Sequence, residues 1–233
     1  MARTGVRGQG QRERGRNRLF VMVVVPVVLV AATVVGLRWK SGGSGGSGTS
    51  SSAASFTVAR AGATDTGKGN AYRVEVEDGS GLDPDKAAAE VARILAAPRG
   101  WSHHGENVFR QVAEGPAGLV IRIASPRTTD RICGNSGLDT HGEVNCRVGA
   151  DVMVNLKRWQ TGSPEFDGPL ADYRALIINH EVGHWLGHGH ETCPGKGRPA
   201  PAMMQQIYGL KGCVANAWPY DAKGHYLGGP SVP

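Results

Sequence analysis

Apolar and polar residues follow a strand-like pattern in three stretches of the chain. Residues 71–77 alternate with period two, and residues 118–124 and 151–156 are apolar runs of strand length. Such patterns are typical of strands that bury at least one face in a sheet. Residues 108–113 show the pattern more weakly. The chain is therefore predicted to contain a sheet of three or four strands.

Two helices are predicted around this sheet. Asp83 is a good capping residue and stands before Pro84, which suits the first helical position, so a helix is predicted to begin here and to stop before Pro98. Its apolar residues share one face and are expected to pack on the sheet: Ala87, Val91, Ile94 and Leu95. A second helix is predicted from about residues 169–172 to Gly187.

These elements predict an α+β fold for one domain, residues 56–233. The sheet, the backing helix and the second helix form its regular part. The residues after His190 are rich in Gly and Pro and are expected to form a small irregular subdomain.

Residues 19–37 contain no charged side chain, and as a helix they span roughly 28 Å, close to the thickness of a bilayer core. Six arginines precede this stretch, whereas Arg38 and Lys40 follow it. This asymmetry predicts a cytoplasmic tail at residues 1–18, a transmembrane signal-anchor and an extracellular C-terminal domain. A cleaved signal peptide is the alternative, although the apolar run is long for one. Residues 38–55 are rich in Gly and Ser and predict a flexible linker.

The formal net charge of +6 comes from the amino-terminal segment. Residues 1–40 hold eight basic residues and one acidic residue, so residues 41–233 carry a net charge of about −1. Proteins that bind nucleic acid cluster basic charge on the folded domain. No nucleic-acid partner is therefore expected, and the basic tail is expected to contact anionic lipid.

The most specific chemical signal is the segment His-Glu-Val-Gly-His-Trp-Leu-Gly-His-Gly-His at residues 180–190. His180 and His184 are one helical turn apart, so both imidazoles project from one face and can bind one zinc ion. Glu181 is turned about 100° from His180, which places it beside the metal as a general base for water.

A third zinc ligand requires the helix to end. His188 continues the four-residue spacing, but on a straight helix it would lie about 12 Å along the axis from His180. Gly187 permits the left-handed conformation that terminates helices. After that turn His190 can return to the metal, so His190 is the predicted third ligand and His188 is its alternative.

The pattern His-Glu-x-x-His-x-x-Gly-x-x-His resembles the active site of the metzincin zinc metallopeptidases. The resemblance implies a twisted sheet, an active-site helix and a small C-terminal part. It also implies a methionine-containing turn beneath the zinc, for which Met203 and Met204 are candidates, with ordinary apolar packing as the alternative role. The whole ectodomain also resembles bacterial membrane-anchored proteins of unassigned function that carry this motif.

Some metzincins have a metal-directed tyrosine two residues after this methionine. In the present chain those positions hold Gln205 or Gln206, and Tyr208 follows. The resemblance therefore assigns no role to a tyrosine.

Four cysteines follow the predicted membrane segment, an even number in an oxidising location: Cys133, Cys146, Cys193 and Cys213. They allow three pairings, of which we favour Cys133–Cys146 and Cys193–Cys213. The second would enclose the candidate methionine turn and stabilise it by roughly 3 kcal/mol. No Cys-x-x-Cys pair is present, so a cysteine zinc site is not expected. The alternative role of Cys133 is to cap the zinc in a latent enzyme, as a thiolate does in some metzincins.

The remaining histidines have no metal-ligand spacing and are expected on the surface: His103, His104, His141 and His225. Trp101, Trp159 and Trp218 are expected in the core, with a cleft lining as the alternative. Trp185 is expected to pack beneath the helix that carries His180 and His184, called the metal helix below.

These observations predict a membrane-anchored, extracytoplasmic zinc metallopeptidase that hydrolyses polypeptides with Glu181 as general base. Residues 151–156 are expected to form the strand against which an extended substrate lies. Two alternatives stay open. One is a hydrolase of cell-wall peptide cross-links, and the other is a catalytically idle zinc domain that binds a surface partner.

Overall fold

The structure is a computed structural model that describes residues 53–232. The predicted tail at residues 1–18, the predicted membrane segment at residues 19–37 and most of the linker at residues 38–55 lie outside the described residues. Within residues 53–232, no helix combines the length and the apolar character that a membrane crossing requires.

Six strands form one mixed sheet. In chain order they are β1 (Phe56–Val58), β2 (Asn70–Glu77), β3 (Phe109–Gln111), β4 (Leu119–Ala124), β5 (Cys146–Val148) and β6 (Asp151–Asn155). The spatial order is β1-β2-β4-β6-β5, and β3 also pairs with β2. Strands β2, β3, β4 and β6 are parallel, whereas β1 and β5 pair antiparallel to their neighbours.

In the part of the chain that the structure describes, four α-helices accompany the sheet: α1 (Pro84–Leu95), α2 (Pro126–Gly134), α3 (Leu156–Thr161) and α4 (Leu170–Trp185). Helix α1 begins as predicted, because the Asp83 side chain accepts hydrogen bonds from the backbone N–H groups of Asp85 and Lys86. Helix α4 also lies where the sequence predicts a helix. The α+β fold class is confirmed.

The main core lies between one face of the sheet and helices α1 and α4. Alternate strand residues point to this face and are fully buried, including Val74 in β2, Ile121 in β4 and Val152 in β6. Helix α1 contributes the four apolar residues expected from its pattern. Trp101 and Trp159 are buried in this core, and Trp218 packs at its margin. This burial fixes α4 against the sheet.

The opposite face of the sheet is partly covered by α2. Cys133 of α2 packs on Ala124 and Met153 and forms a disulfide with Cys146 of β5. The sequence pattern does not predict α2, although Ser125 caps it and Pro126 occupies its first turn.

An ion-pair network occupies the uncovered part of this face. Glu75 lies between Arg73 and Arg122, and Arg122 also contacts Asp151. Burial of the Glu75 carboxyl raises its pKa, but the hydrogen bonds and charges of the two arginines outweigh burial and lower it overall. The network therefore ties three neighbouring strands together through charge.

Residues 187–232 contain little regular structure, as the sequence predicts. Within this part a short 3₁₀ turn forms at Gln206–Tyr208, and single bridges link Glu191 with Ser231 and Pro199 with Val214. The disulfide Cys193–Cys213 closes this part of the chain, so both favoured pairings are confirmed. Since Cys133 is paired, it is not a free thiolate in this structure.

Candidate metal centre

The end of helix α4 positions the whole site. The Gly187 N–H donates to the His184 carbonyl, and the His188 N–H donates to the Gly183 carbonyl, with Gly187 at a φ of 96°. This pair of hydrogen bonds is the Schellman termination, which requires a left-handed residue at the Gly187 position. The helix therefore stops where the sequence predicts, and the chain turns back toward His180.

The three predicted ligands lie together. The Nε2 atom of His184 is 3.2 Å from Nε2 of His180 and 3.1 Å from Nε2 of His190. One ligand atom from each histidine lies within 4.8 Å of the others. Two nitrogens bound tetrahedrally to one zinc ion at 2.0–2.1 Å are roughly 3.3 Å apart. The spacing of this triad thus fits a metal ion of zinc's size.

The outer nitrogens of two histidines have backbone partners. Nδ1 of His180 lies 2.9 Å from the Ala202 carbonyl, and Nδ1 of His184 lies 2.9 Å from the His188 carbonyl. A carbonyl can only accept, so both Nδ1 atoms carry the proton and both Nε2 atoms present lone pairs. Two lone pairs at 3.2 Å repel each other unless a cation lies between them. These backbone carbonyls are the usual partners that orient metal-binding histidines.

Burial keeps the triad neutral. It lowers the pKa of His180 to about 3, with a further decrease from the neighbouring His184. Burial likewise lowers the pKa values of His184 and His190. Neutral imidazole is the form that binds metal, so these three residues can hold a metal ion at neutral pH.

Glu181 is 5 % exposed, and no hydrogen bond reaches its carboxylate from the described residues. Burial raises its pKa to about 8, while the charge of Arg147 opposes that increase. A divalent cation on the adjacent histidines would also favour the charged form. The carboxylate faces an open cleft, so its unused hydrogen-bonding capacity is directed at whatever occupies that cleft.

This cleft, called the metal cleft below, has a volume of about 590 Å³. Its floor is formed by Glu181 and the triad, and its walls come from β5, the loop before β5 and the segment near Gln205. The wall residues include Gly137–Thr140, Val144–Arg147, Gln205 and Tyr208. A smaller inner pocket of about 70 Å³ extends beside His180 and Glu181 between apolar residues such as Leu176, Ile177 and Met204.

Comparison with known proteins places this site in a family. The family model described as "Protein of unknown function (DUF3152)" matches residues 43–217, about three quarters of the chain, including the triad and Glu181. The chain belongs to the DUF3152 family. It is also similar to "Endoribonuclease YbeY" of Myxococcus xanthus (strain DK1622), with 29% identity over 97 residues. That match covers 42% of this chain, and the chain spans about a third of that relative's length, 33%. No solved structure matches the chain.

The two methionines have different surroundings in this DUF3152 protein. A Cβ atom on Gly183 of α4 would overlap the sulfur of Met203 and would lie 2.8 Å from the Trp101 ring. Met203 therefore packs directly under the metal helix, in the main core. Met204 points to the inner pocket and packs near Cys213. Of the two candidates, Met203 is the one that contacts α4 at Gly183, between His180 and His184.

Buried amides hold the turn that carries Met203. The side-chain amide of Gln206 donates to the carbonyls of Pro201 and Asn216, and the Asn216 amide donates to Ala200 and Trp218. Gln206 is 1 % exposed. Since unpaired buried amides are costly, this network specifies one conformation for the turn. Sequence reasoning missed both residues because a polar side chain in an irregular segment gives no periodic signal.

His188 is not close enough to the triad to be a ligand in this arrangement. Its ring stacks on Trp101 with centroids 4.3 Å apart, while its carbonyl faces Nδ1 of His184. The Trp101 N–H donates to the carbonyl of Asn179, immediately before His180. His188 therefore links the end of the metal helix to the core, a role that sequence spacing did not reveal.

Two predictions about the surroundings of the site are wrong. Strand β6 lies between β4 and β5, so residues 151–156 cannot pair with an added strand. The strand at the sheet edge, which also lines the metal cleft, is β5. His103 is buried rather than on the surface, because its ring stacks on Tyr220 at 3.7 Å.

The other predicted surface histidines, His104, His141 and His225, are exposed. Trp185 packs at the margin of the core and donates its indole N–H to the Gly118 carbonyl.

Proposed function

We propose that this protein is a zinc-dependent metallopeptidase of the metzincin type. In this proposal residues 19–37 anchor it in the membrane, and the catalytic domain lies outside the cytoplasm. The observation that supports the proposal most is the convergence of three imidazole Nε2 atoms beside a buried, unpaired glutamate in an open cleft. A purely structural zinc site usually has a fourth protein ligand and needs no such carboxylate.

His180, His184 and His190 would hold the zinc ion. Bound there, zinc supplies Lewis-acid activation of water and of the scissile carbonyl. Glu181 orients the attacking water and takes its proton on a carboxylate oxygen. The same carboxyl then donates this proton to the departing amine. Burial raises the pKa of Glu181, whereas Arg147 and a bound cation would lower it. These opposing effects suit a group that must accept a proton and then release it.

The position of β5 supports a polypeptide substrate. β5 is antiparallel, lies at the edge of the sheet and lines the metal cleft. An extended peptide can add to such an edge through backbone hydrogen bonds, which brings its carbonyl groups past the triad. The inner pocket beside Glu181 has room for one small apolar side chain. The substrate class proposed here is therefore an extended polypeptide or a cell-wall peptide.

Hydrolysis of RNA is a second candidate, supported by the similarity to Endoribonuclease YbeY. The charge of residues 41–233, about −1, favours the peptide substrate, because binding to phosphates depends on clustered basic residues.

The proposal is tested on the full chain with and without Glu181→Gln. Zinc content is measured first, followed by cleavage of a quenched peptide library, of peptidoglycan and of single-stranded RNA. We expect one zinc per chain in both proteins and peptide cleavage that falls roughly 10²–10⁴-fold in the variant. Cleavage of peptidoglycan alone would assign the cell-wall role, and cleavage of RNA alone would assign the nuclease role. Zinc binding without any turnover would indicate the idle binding domain.

A further inference from the structure

Arg147 is placed unlike the other arginines of the sheet. Strand β5 pairs with β6 so that Arg147 lies opposite Val152. Directly paired residues project to the same face of a sheet, and Val152 is buried in the core on the α4 face. Arg147 therefore projects toward α4, but at the sheet edge it stays exposed and lines the metal cleft.

The guanidinium of Arg147 has spare hydrogen-bonding capacity. Its Nε donates to the Gly149 carbonyl at 3.0 Å, which uses one of five N–H donors. Among residues 53–232, no carboxylate lies within ion-pair distance of it. Arg73 and Arg122, on the opposite face, are both engaged by Glu75. The unpaired charge of Arg147 therefore lies in the metal cleft.

Arg147 shares the metal cleft with the catalytic groups. Arg147, Glu181 and His184 line the same cavity. A substrate group bound by Arg147 would therefore lie in the cleft that receives the bond to be cleaved.

We propose that Arg147 is a specificity residue that binds a carboxylate of the substrate, either a C-terminal carboxylate or an Asp or Glu side chain. This inference rests on the proposed peptidase function. The planar guanidinium matches a carboxylate through two parallel hydrogen bonds. The cleft also contains the acidic Asp139 and Glu181, which disfavours densely charged anions such as RNA.

Binding is measured on the zinc-loaded full chain that carries the Glu181→Gln substitution, so that the probes bind without being cleaved. The probes are rhodamine-labelled peptides of one sequence in three forms: amidated and neutral, with a free C-terminus, and amidated with one Asp for Asn. A 5′-phosphorylated single-stranded RNA is the fourth probe. Fluorescence anisotropy gives the affinity of each probe for four proteins. These are the Glu181→Gln protein with Arg147 intact and the same protein with Arg147→Gln, Arg147→Lys or Arg127→Gln. Arg127→Gln removes the same charge from an exposed site on α2, outside the metal cleft.

We expect at least one carboxylate probe to bind roughly tenfold more tightly than the neutral probe. Arg147→Gln should abolish this ratio, Arg147→Lys should keep part of it, and Arg127→Gln should leave it unchanged. Preference for the free C-terminus would identify a carboxyl-end substrate, and preference for Asp an internal acidic residue. The proposal is overturned by equal binding of the three peptides, by a ratio that survives Arg147→Gln, or by an effect on RNA alone.

Cleavage of the same peptides by the chain with Glu181 intact separates the two proposals. A carboxylate preference without cleavage would overturn the peptidase function, whereas carboxylate binding by Arg147 would stand. If Arg147→Gln slows cleavage of neutral and carboxylate peptides equally, Arg147 does not select the carboxylate, whereas the peptidase function stands.

Discussion

The sheet part of the molecule, residues 53–186, and the C-terminal part, residues 187–232, both contribute to the candidate metal centre but are stabilised differently. The sheet part presents His180, Glu181 and His184 on a helix that packs on a continuous apolar core. The C-terminal part presents His190 and Met203 on irregular chain held by a disulfide and buried amides. One part is fixed by burial of many similar side chains, and the other by a few specific contacts. Removing a single contact should therefore perturb the C-terminal part more than the sheet part.

The two disulfides provide the largest test of this difference. They close loops of similar length, with sequence separations of 13 and 20 residues, so removing either should cost about 3 kcal/mol of unfolding free energy. We expect Cys193→Ser with Cys213→Ser to weaken zinc binding as well, since that loop holds the Met203 turn. Cys133→Ser with Cys146→Ser should leave the zinc affinity nearly unchanged. Urea unfolding and competition with a zinc chelator measure the two quantities, and equal losses of affinity would contradict the comparison.

The contact between the two parts is tested at Gly183. Ala at this position would push against the Met203 sulfur and the Trp101 ring, at a cost of about 1–3 kcal/mol. Met203→Ala should recover part of that loss in the double variant, because it opens space where the methyl group clashes. Gly189→Ala is the matched control, since its Cβ would meet open space. Thermal unfolding of the four proteins shows whether Gly183 and Met203 are coupled, and strictly additive effects would argue against their contact.

Acid is expected to destabilise the two parts at different pH values, with smaller changes in unfolding free energy than the substitutions above. The pKa of Glu75 is lowered in the folded state, so its ion pairs stabilise the sheet above the unfolded pKa of about 4.3 and are lost as pH falls through the folded pKa. In the C-terminal part, hydrogen bonds from the backbone N–H and the ring of His225 and from the Lys223 N–H lower the pKa of Asp221 to about 2. The Asp221 carboxylate therefore keeps its charge to low pH.

Glu75→Gln is therefore expected to cost on the order of 1 kcal/mol at pH 7 and progressively less below pH 4. Denaturant unfolding of the native and Glu75→Gln proteins from pH 7 to pH 2 measures the difference in unfolding free energy. A difference that stays constant over this range would refute the stabilising role of the Glu75 ion pairs. Asp221→Asn should keep its difference from the native protein down to a lower pH than Glu75→Gln does.

A stability effect of similar size is expected for His188. Its ring stacks on Trp101 and binds no metal in this geometry, so His188→Ala should cost about 0.5–1.5 kcal/mol of stability and preserve one zinc per chain. His188→Phe should keep the stacking and most of the stability. His190→Ala, by contrast, removes a ligand and should release the metal. Zinc content after dialysis distinguishes the two histidines, and loss of zinc in both His188 variants would make His188 a ligand.

Hydrophobic patterning predicted the strands that bury a full face and one of the helices. Strands β2, β4 and β6 follow from alternation or apolar runs, and helix α1 follows from its capping residue and apolar stripe. Helix α4 was predicted from the spacing of His180 and His184. The short elements β1, β5 and α3 were not predicted, because three to six residues are too few to show a period. β5 matters most among these, since it is the edge strand of the metal cleft.

The triad, the helix end at Gly187 and both disulfide pairs could be predicted because each depends on fixed spacing and local chemistry. The roles of His188, Gln206 and Arg147 could not, since each depends on a partner distant in sequence. Arg147, for example, acquires its position only through pairing of β5 with β6. The prediction that His103 lies on the surface was wrong for the same reason, because its stacking partner Tyr220 is distant in sequence.

The last described residues bind directly to the loop of the third ligand. The Val232 N–H donates to the His190 carbonyl, the Thr192 N–H donates to the Pro230 carbonyl, and Glu191 accepts from Tyr226 and Gly229. A chain is synthesised from its amino end, so most residues of the core around α4 are made before this segment. His190 lacks this part of its backbone support until residues 226–232 have been added. The order of synthesis thus places the last support of the candidate metal centre after the rest of the described domain has been made.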